Sequence, residues 1–544
     1  MKRFVIFALW ALLPASLAMP QSGSHYRELL TRRIRADKLS APVHLKAYVQ
    51  DNTIRLSLRD AILLALENNS DIQIDETTIE SRKFALLATY SPFDPLLQSG
   101  LNINRYSYPG YSQLQGIGES GNATLNSLTQ TGQINYIETF PTGTNVNVGL
   151  SSSKSSTNSS FYFFNPYFTT SLNLQFTQPL LRNAGRFANT STIKIAQRSL
   201  AQSKATFEAE VNDAILQVVG QYWAAVQARG ALDVQQRALK LAELSFARDK
   251  RALELGALPP LDISRSESEV AARRVQSIQA DYAVAQAEET LRLTIGADQD
   301  PQLSSLRLDL TENPEPATME IVDEEEVLKE SLSVRPEIEA AKDALEGDET
   351  GVRLAHNQLL PDLELNGFYQ SSGLGGNQYS LVTGQLTSTG GLGSSFNQLF
   401  GFGYPGYGGQ LTLTLPIRNR SGQARLGNAL VTRTHDLYAS RQVNELITRQ
   451  TRDALDQFET AKRSLTAAGA SLDLARKSLS ADQRKFELGA ETNFFVLDSQ
   501  SRLANAELVL LQTQITYQLA AAAIHHATGA LLAPYRLQVQ AASK

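Results

Sequence analysis

Two stretches of this chain read as very long helices. No proline occurs between Pro179 and Pro259, and none between Pro416 and Pro534. Both runs are rich in Ala, Leu, Gln, Arg and Glu, residues that give up little freedom on entering a helix. In the first run Ile215, Val218, Val219, Tyr222 and Val226 follow the i, i+3, i+4, i+7 pattern of one buried stripe. A helix over residues 188–255 would be roughly 100 Å long at 1.5 Å per residue. No compact globule encloses such a rod. It needs partners along its whole length, which means a coiled-coil-like wall.

The two runs belong to two copies of one unit. LELGALPPLDISRSESEV (253–270) and FELGAETNFFVLDSQSRL (486–503) align without a gap, 233 positions apart. At the same offset Gly296 meets Gly529, each followed by a short alternating stretch, SLRLDL and YRLQVQ. Earlier in each copy Pro179 and Pro416 precede Gly185 and Gly422 by six positions, and Asp71-Ile72 matches Glu337-Ile338. Self-similarity on this scale indicates duplication, with loops of different length between matching blocks. Each copy is expected to run helix, strands, very long helix, turn, return helix, short strand.

The expected organisation is a signal segment at 1–18, an extension at 19–55, repeat 1 over 56–310 and repeat 2 over 311–544. Repeat 1 holds a helix starting near Ser57, strands within 96–178, the long helix at 188–255 and a return helix at 261–295. Repeat 2 holds a helix at 323–358, strands within 362–416, a long helix at 423–488, a return helix at 493–528 and a C-terminal tail. Asp323 and Glu326 have capping-box spacing, so the acidic run there is assigned to capping rather than metal.

Between the helices the composition changes. LNINR, TNVNVGL, SLNLQF and LTLTLP alternate apolar and polar residues, as strands with two different faces do. The connecting segments are rich in Gly, Ser, Asn and Tyr. Tyr106, Tyr108, Phe161, Tyr162, Phe163, Tyr369 and Phe402 suit the aromatic girdle of a membrane barrel. Repeat 1 offers four candidate strands, at 96–108, 132–140, 145–153 and 170–178; repeat 2 offers two, at 362–370 and 409–415. ETFPTGTNV (138–146) reads as a tight hairpin, with Pro141 and Gly143 supplying the turn.

The opening MKRFVIFALWALLPASLAMP has a charged end, a short apolar core and a small-residue cleavage site ending at Ala18, the pattern of an export signal. There is no cysteine, hence no disulfide framework, thiolate metal site or lipid-anchor cysteine. The net charge of −5 argues against nucleic acid as a partner. His525 and His526 are adjacent, so they point to different helix faces and lack the i, i+4 spacing of a helical zinc motif. No nucleophile elbow, phosphate loop or paired carboxylate stands out. The expectation is therefore no enzyme, no catalytic residue, no cofactor and no metal.

The signal segment, the duplicated helix–strand–helix unit, the Pro-to-Gly spacing after each strand block and Leu-Gly-Ala at each helical turn together resemble the TolC family of outer-membrane efflux proteins. The resemblance runs from about Ser57 to Gln540. It implies an α+β membrane protein: a trimeric outer-membrane β-barrel continuous with a long periplasmic α-helical barrel, two internal repeats per chain. It further implies a homotrimer in outer-membrane lipid, working with a periplasmic adaptor (membrane fusion protein) and an inner-membrane RND or ABC pump, in tripartite efflux or type I secretion. The alternative is a secreted coiled-coil structural or adhesin-like surface protein, which would leave the matching strand blocks unexplained.

On this resemblance the two turns, Leu255-Gly256-Ala257 and Leu488-Gly489-Ala490, are the tips where the adaptor docks. Gly256 and Gly489 suit a helix C′ position, where positive φ is needed. Asp262 and Asp498 fall at gate aspartates of the family. Phe495 replaces another, Phe486 stands where a gate tyrosine often sits, and Glu491 replaces an arginine. An acidic constriction selecting cations and closure by Phe494 and Phe495 are thus both open. The family norm of two strands per repeat gives twelve in a trimer. The 138–146 hairpin is therefore expected to stand outside the cell above a twelve-stranded barrel, the other reading being that it crosses the membrane and widens the barrel.

Overall fold

The computed structural model describes residues 44–50, 53–110, 115, 124–255, 260–299, 303, 306–316, 322–380 and 382–531. The signal segment, most of the 19–55 extension, the first tip at 256–259 and the closing alternation at 535–540 lie outside the described residues.

Ser57 starts α1 (Leu58–Asn68) with a full capping box: its hydroxyl accepts from the Asp60 N–H while the Asp60 carboxylate accepts from the Ser57 N–H. The single helix expected from Ser57 is in fact two. Asn69 leaves helical geometry and its side chain caps α2 (Ser70–Ala88). After the strands come the long helix α3 (Gly185–Glu254) and its return, α4 (Pro260–Thr294). Repeat 2 has the same break. The expected helix at 323–358 divides into α5 (Glu324–Val334) and α6 (Pro336–Asn357), because a residue before proline is pushed out of helical geometry and Arg335 is extended. Asp323 caps α5 by accepting from the Glu325 N–H, so it is a simple cap and not the expected box with Glu326. A short α7 (Leu392–Phe400) precedes the second long helix, α8 (Arg420–Glu487), and its return, α9 (Asn493–Ala527).

These rods lie side by side in one wall. Towards the tips the order is α4, α3, α9, α8; nearer the strands it is α2, α3, α6, α8. The repeats meet where α3 packs against α9 and, nearer the strands, against α6. A Cβ at Gly230 would sit 2.6 Å from Leu511 Cδ2, so a larger residue there would push the Leu511 side chain aside. The predicted stripe is buried: Ile215, Val218, Val219 and Tyr222 are almost fully enclosed, with Val226 packed against the same core.

That core sits at the waist, beneath a small sheet of β1 (Val49–Gln50), β2 (Thr53–Leu56) and, after repeat 1, β7 (Arg307–Leu310). β2 pairs parallel with β7, Ile54 opposite Leu308, so the end of the extension ties onto the end of repeat 1. Tyr222 reaches into this joint, donating to the Leu56 carbonyl at 3.1 Å and accepting from the Glu312 N–H at 3.2 Å. Burial pushes its hydroxyl up to about 12, so it stays protonated and remains a donor.

The remaining strands form one antiparallel sheet at the other end of the rods. They are β3 (Leu96–Pro109), β4 (Thr124–Thr139), β5 (Asn145–Thr157), β6 (Phe164–Pro179), β8 (Asp362–Tyr379) and β10 (Pro405–Thr414), with β9 (Leu386–Ser388) attached to β8. Their order is β10-β8-β6-β5-β4-β3. The register sets Leu97, Tyr136, Val148, Leu174, Tyr369 and Tyr407 in one line across all six strands. The next line is Gln98, Asn135, Gly149, Asn173, Gln370 and Gly406. Neighbouring lines face opposite ways, so one face is apolar and aromatic while the other carries amides and hydroxyls. Hydroxyl ladders run along the polar face, Thr129 to Ser155, Thr131 to Ser153 and Ser151 to Ser171.

Two features differ from expectation. The 138–146 hairpin does not stand beyond the strands at their far end. Its turn is held at the helix end of the sheet, where the Gly185 N–H donates to the Thr142 carbonyl at 3.1 Å. Gly143, at φ 87°, lies so close to the Asn183 carbonyl and Pro179 that no side chain would fit. The second is α7, inside a Gly-rich segment read only as a loop. It lies against β8 and β6: Thr170 donates to the Ser395 carbonyl and Ser371 to the Leu399 carbonyl, while Gly373 leaves room for the helix backbone.

Candidate functional site: the two tips and their latch

At the far end of the wall each long helix reverses into its return partner. In repeat 2 the reversal is a Schellman motif: the Gly489 N–H donates to the Phe486 carbonyl and the Ala490 N–H to the Lys485 carbonyl. Gly489 takes φ 71°, as its position requires. In repeat 1, α3 ends at Leu255, whose N–H donates to the Arg251 carbonyl, while Gly256 and Ala257 lie outside the described residues. Leu255 and Leu488 hold matching positions, and each is 84% exposed. A bare leucine at the same place in both copies has no part in the packing of this chain.

Above each tip, one carboxylate on the outgoing helix accepts from one serine on the return helix. In repeat 1 Ser266 donates to Asp249 at 2.5 Å; in repeat 2 Ser499 donates to Asp482. Asp249 and Asp482 are 233 positions apart, as are Ser266 and Ser499, so the duplication copied the pair. The surroundings have since diverged. Asp249 is fully buried and takes a second hydrogen bond at 2.5 Å from the Asn493 amide at the start of α9. The Asn493 side-chain Oδ1 in turn accepts from Arg248 at 3.0 Å, and the Arg248 guanidinium lies 4.7 Å over the Phe486 ring. Asn493 therefore links the tip of repeat 2 to the long helix of repeat 1.

Asp482 is only partly buried, within its own hairpin. The Ser499 hydroxyl, and then Lys485, hold its carboxyl below the usual range, while Glu491 pushes the Lys485 ammonium up. A lowered carboxyl contributes fully above its unfolded value of 3.8 and loses that contribution as pH falls through the lowered value. A raised ammonium contributes fully below 10.5 and loses it as pH rises through the raised value. The repeat-2 tip should thus keep constant amide-exchange protection between these limits and loosen outside them; hydrogen exchange of residues 482–499 against pH measures this.

The other sequence-derived gate residues gather at the same end. Phe494 and Phe495 meet edge to face at 5.5 Å, and both remain about half exposed. Arg265 lies 6.0 Å over the Phe494 ring. Glu491 pairs with Lys485 at 2.6 Å and Asp498 with Arg502 at 2.5 Å. Asp262 opens the return helix α4, and its side chain lies outside the described residues. Sequence reasoning missed Asp249, Ser266, Asp482, Ser499, Arg248 and Asn493. The first four carry a signal, since both pairs repeat at the offset of the duplication; Arg248 and Asn493 carry none.

Among the described residues no group of three His, Cys, Asp or Glu could hold a metal ion, and no helix is long and apolar enough to cross a membrane. His526 pairs with Asp213 across the two repeats at 2.7 Å.

The profile of outer membrane efflux proteins matches residues 143–297 and 327–530, one segment in each repeat. No curated protein matches the chain. Among solved structures, a membrane protein from Pseudomonas aeruginosa is 18% identical with a TM-score of 0.61, over 91% of this chain and 98% of its own. The CmeC outer membrane channel of Campylobacter jejuni is 15% identical with a TM-score of 0.59, over 93% of this chain and 91% of its own. The open state of the MtrE outer membrane channel of Neisseria gonorrhoeae is 18% identical with a TM-score of 0.57, over 87% and 89%.

Proposed function

The chain belongs to the outer membrane efflux protein family, and from that membership we propose that it forms the outer-membrane duct of a tripartite exporter, in drug efflux or type I secretion. Three copies surround one channel. The two-faced sheet lies in the outer membrane, apolar face to lipid, and the helical wall descends into the periplasm. The tips at Leu255, Gly256 and Ala257 and at Leu488, Gly489 and Ala490 dock onto a periplasmic adaptor fed by an inner-membrane RND or ABC pump. The observation that carries this reading is the pair of bare leucines, one per repeat, at the end of rods about 100 Å long. Six such tips in a trimer suit a ring of adaptor hairpins.

For the gate, the pairing of Glu491 with Lys485 and of Asp498 with Arg502 favours apolar closure by Phe494 and Phe495 over an unneutralised acidic ring. The buried Asp249–Asn493–Arg248 contact is the polar latch that holds the repeat-2 hairpin beside repeat 1.

A photo-cross-linking residue in place of Leu488, used in growing cells, tests the docking. The expected adduct is a periplasmic adaptor identified by mass spectrometry, and the detergent-extracted protein should weigh three chains. Adducts confined to other copies of this chain would remove the docking role, and a water-soluble monomer would remove the duct.

A further inference from the structure

We infer that three copies of this chain close an eighteen-stranded barrel, each contributing six strands, in place of the twelve expected from two strands per repeat. The inference rests on the trimeric duct proposed above and concerns its width.

The two strands at issue are β4 and β5. They have 16 and 13 residues, and a tilted membrane strand needs only about 9–11. They are not an appendage: β4 pairs along its length with β3, and β5 with β6, so removing the hairpin would cut the sheet in two. Their turn faces the helices, tied at Thr142 to Gly185, so the hairpin cannot be a lid on the far side. They also repeat the two-sided chemistry of the other four strands. Tyr136 and Val148 lie in the apolar line, and Asn135 in the polar one. A hairpin standing in water would have no use for an apolar face.

The sheet has two free edges among the described residues, β3 and β10. Open edges do not persist in lipid. β3 leads away from the helices and β10 returns to them, so β3 of one copy beside β10 of the next makes an antiparallel pair. The same two flanks show unpartnered apolar side chains lower down. Val275, Ile278 and Tyr282 stand exposed on α4, the helix on the β3 flank; Leu474 and Tyr438 stand exposed on α8, on the β10 flank. A second copy is the occupant that satisfies both levels at once, and a head-to-tail contact of this kind closes into a ring.

Barrel diameter grows roughly in proportion to strand number. With strands about 4.8 Å apart and tilted by about 40°, twelve strands make a backbone circle about 24 Å across and eighteen one about 36 Å across. Side chains take about 5 Å from each wall, half the spacing of packed sheets, leaving about 14 Å or about 26 Å. An α-helix is about 10–12 Å wide. The narrower lumen passes one helix or an extended chain; the wider one passes two helices side by side. The outer-membrane section is thus suited to a bulkier cargo, such as a helical hairpin of a secreted polypeptide.

Electron cryomicroscopy of the full chain extracted in detergent counts the strands. Eighteen, with β3 against β10 of the next copy, is the expected result; a trimer of twelve strands with 124–157 outside the wall overturns the inference and leaves the duct standing. Absence of any outer-membrane trimer would remove the duct itself. In cells, Thr142→Cys should react with an impermeant maleimide only once the outer membrane is opened, and labelling of intact cells would overturn the inference. Val148→Arg, placing a charge in lipid, should lower folded trimer at least about tenfold, and Asn147→Arg, on the lumen face, less than about twofold. Equal tolerance of both would place the hairpin outside the membrane and overturn it as well.

Discussion

Exchanging Leu255 and Leu488 together for aspartate is expected to reduce export by more than about 100-fold while the trimer still reaches the outer membrane. Both side chains project into solvent, so their loss leaves the packing of the chain untouched. A leucine buried against a partner contributes about 1.5–3 kcal/mol. Two per chain amount to several kcal/mol per protomer, and every 1.4 kcal/mol is tenfold in affinity. Val382→Asp is the control: it is 94% exposed at the opposite end of the molecule and should change nothing. Export rates of the three variants, with trimer quantified in membrane fractions, are the measurement. Normal export by the double variant would mean that the tips do not carry the docking.

Asn493→Ala should loosen the closed end without unfolding the chain. The substitution removes the donor to buried Asp249 and the acceptor of Arg248 together. Leaving a buried polar group short of a partner costs about 1–3 kcal/mol. Since Ser266 still serves Asp249, the lower half of that range is expected, shifting the closed–open balance about tenfold towards open. The readout is single-channel conductance of the purified trimer in planar bilayers, with raised uptake of a large antibiotic by cells. Ser499→Ala, which removes a bond to Asp482 within one hairpin and leaves the contact between hairpins in place, should have a smaller effect. Identical conductance for wild type and N493A would remove Asn493 from the latch.

The duplication and the long rods were legible because helix periodicity and proline spacing are local signals, and because a repeat makes each copy a test of the other. The tip glycine was legible for the same reason: Gly489 has one conformation to adopt, and the Glu-Leu-Gly-Ala pattern marks it. What was not legible depended on which end of the sheet a turn occupies. Thr142 and Pro141 look the same in sequence whether their hairpin lies outside the cell or against Gly185; the hydrogen bond between Gly185 and Thr142 decides it, and that contact spans 43 residues. The helix α7 escaped because its neighbours are glycines, which disfavour helices locally; what holds it is distant in sequence, since Gly373 of β8 leaves room for its backbone. Asn493 was missed because a single amide at a helix start usually serves as a cap, while this one bridges two hairpins.

The close approach at Gly230 bears on how the far end could open. At Gly230 the α3 backbone carries no side chain and Leu511 of α9 fills the space beside it, so a pivot of one rod on the other at this point would need no helix to melt. Asn493 lies 18 residues from Leu511 along α9, a lever arm of about 27 Å at 1.5 Å per residue. A tilt of about 10° at the crossing would sweep Asn493 through about 5 Å by that lever arm, enough to part it from Asp249 and Arg248. A small turn high in the wall would thereby become a wide stroke at its mouth, and Gly230→Leu, which crowds Leu511, should narrow the spread of single-channel conductances of the purified trimer.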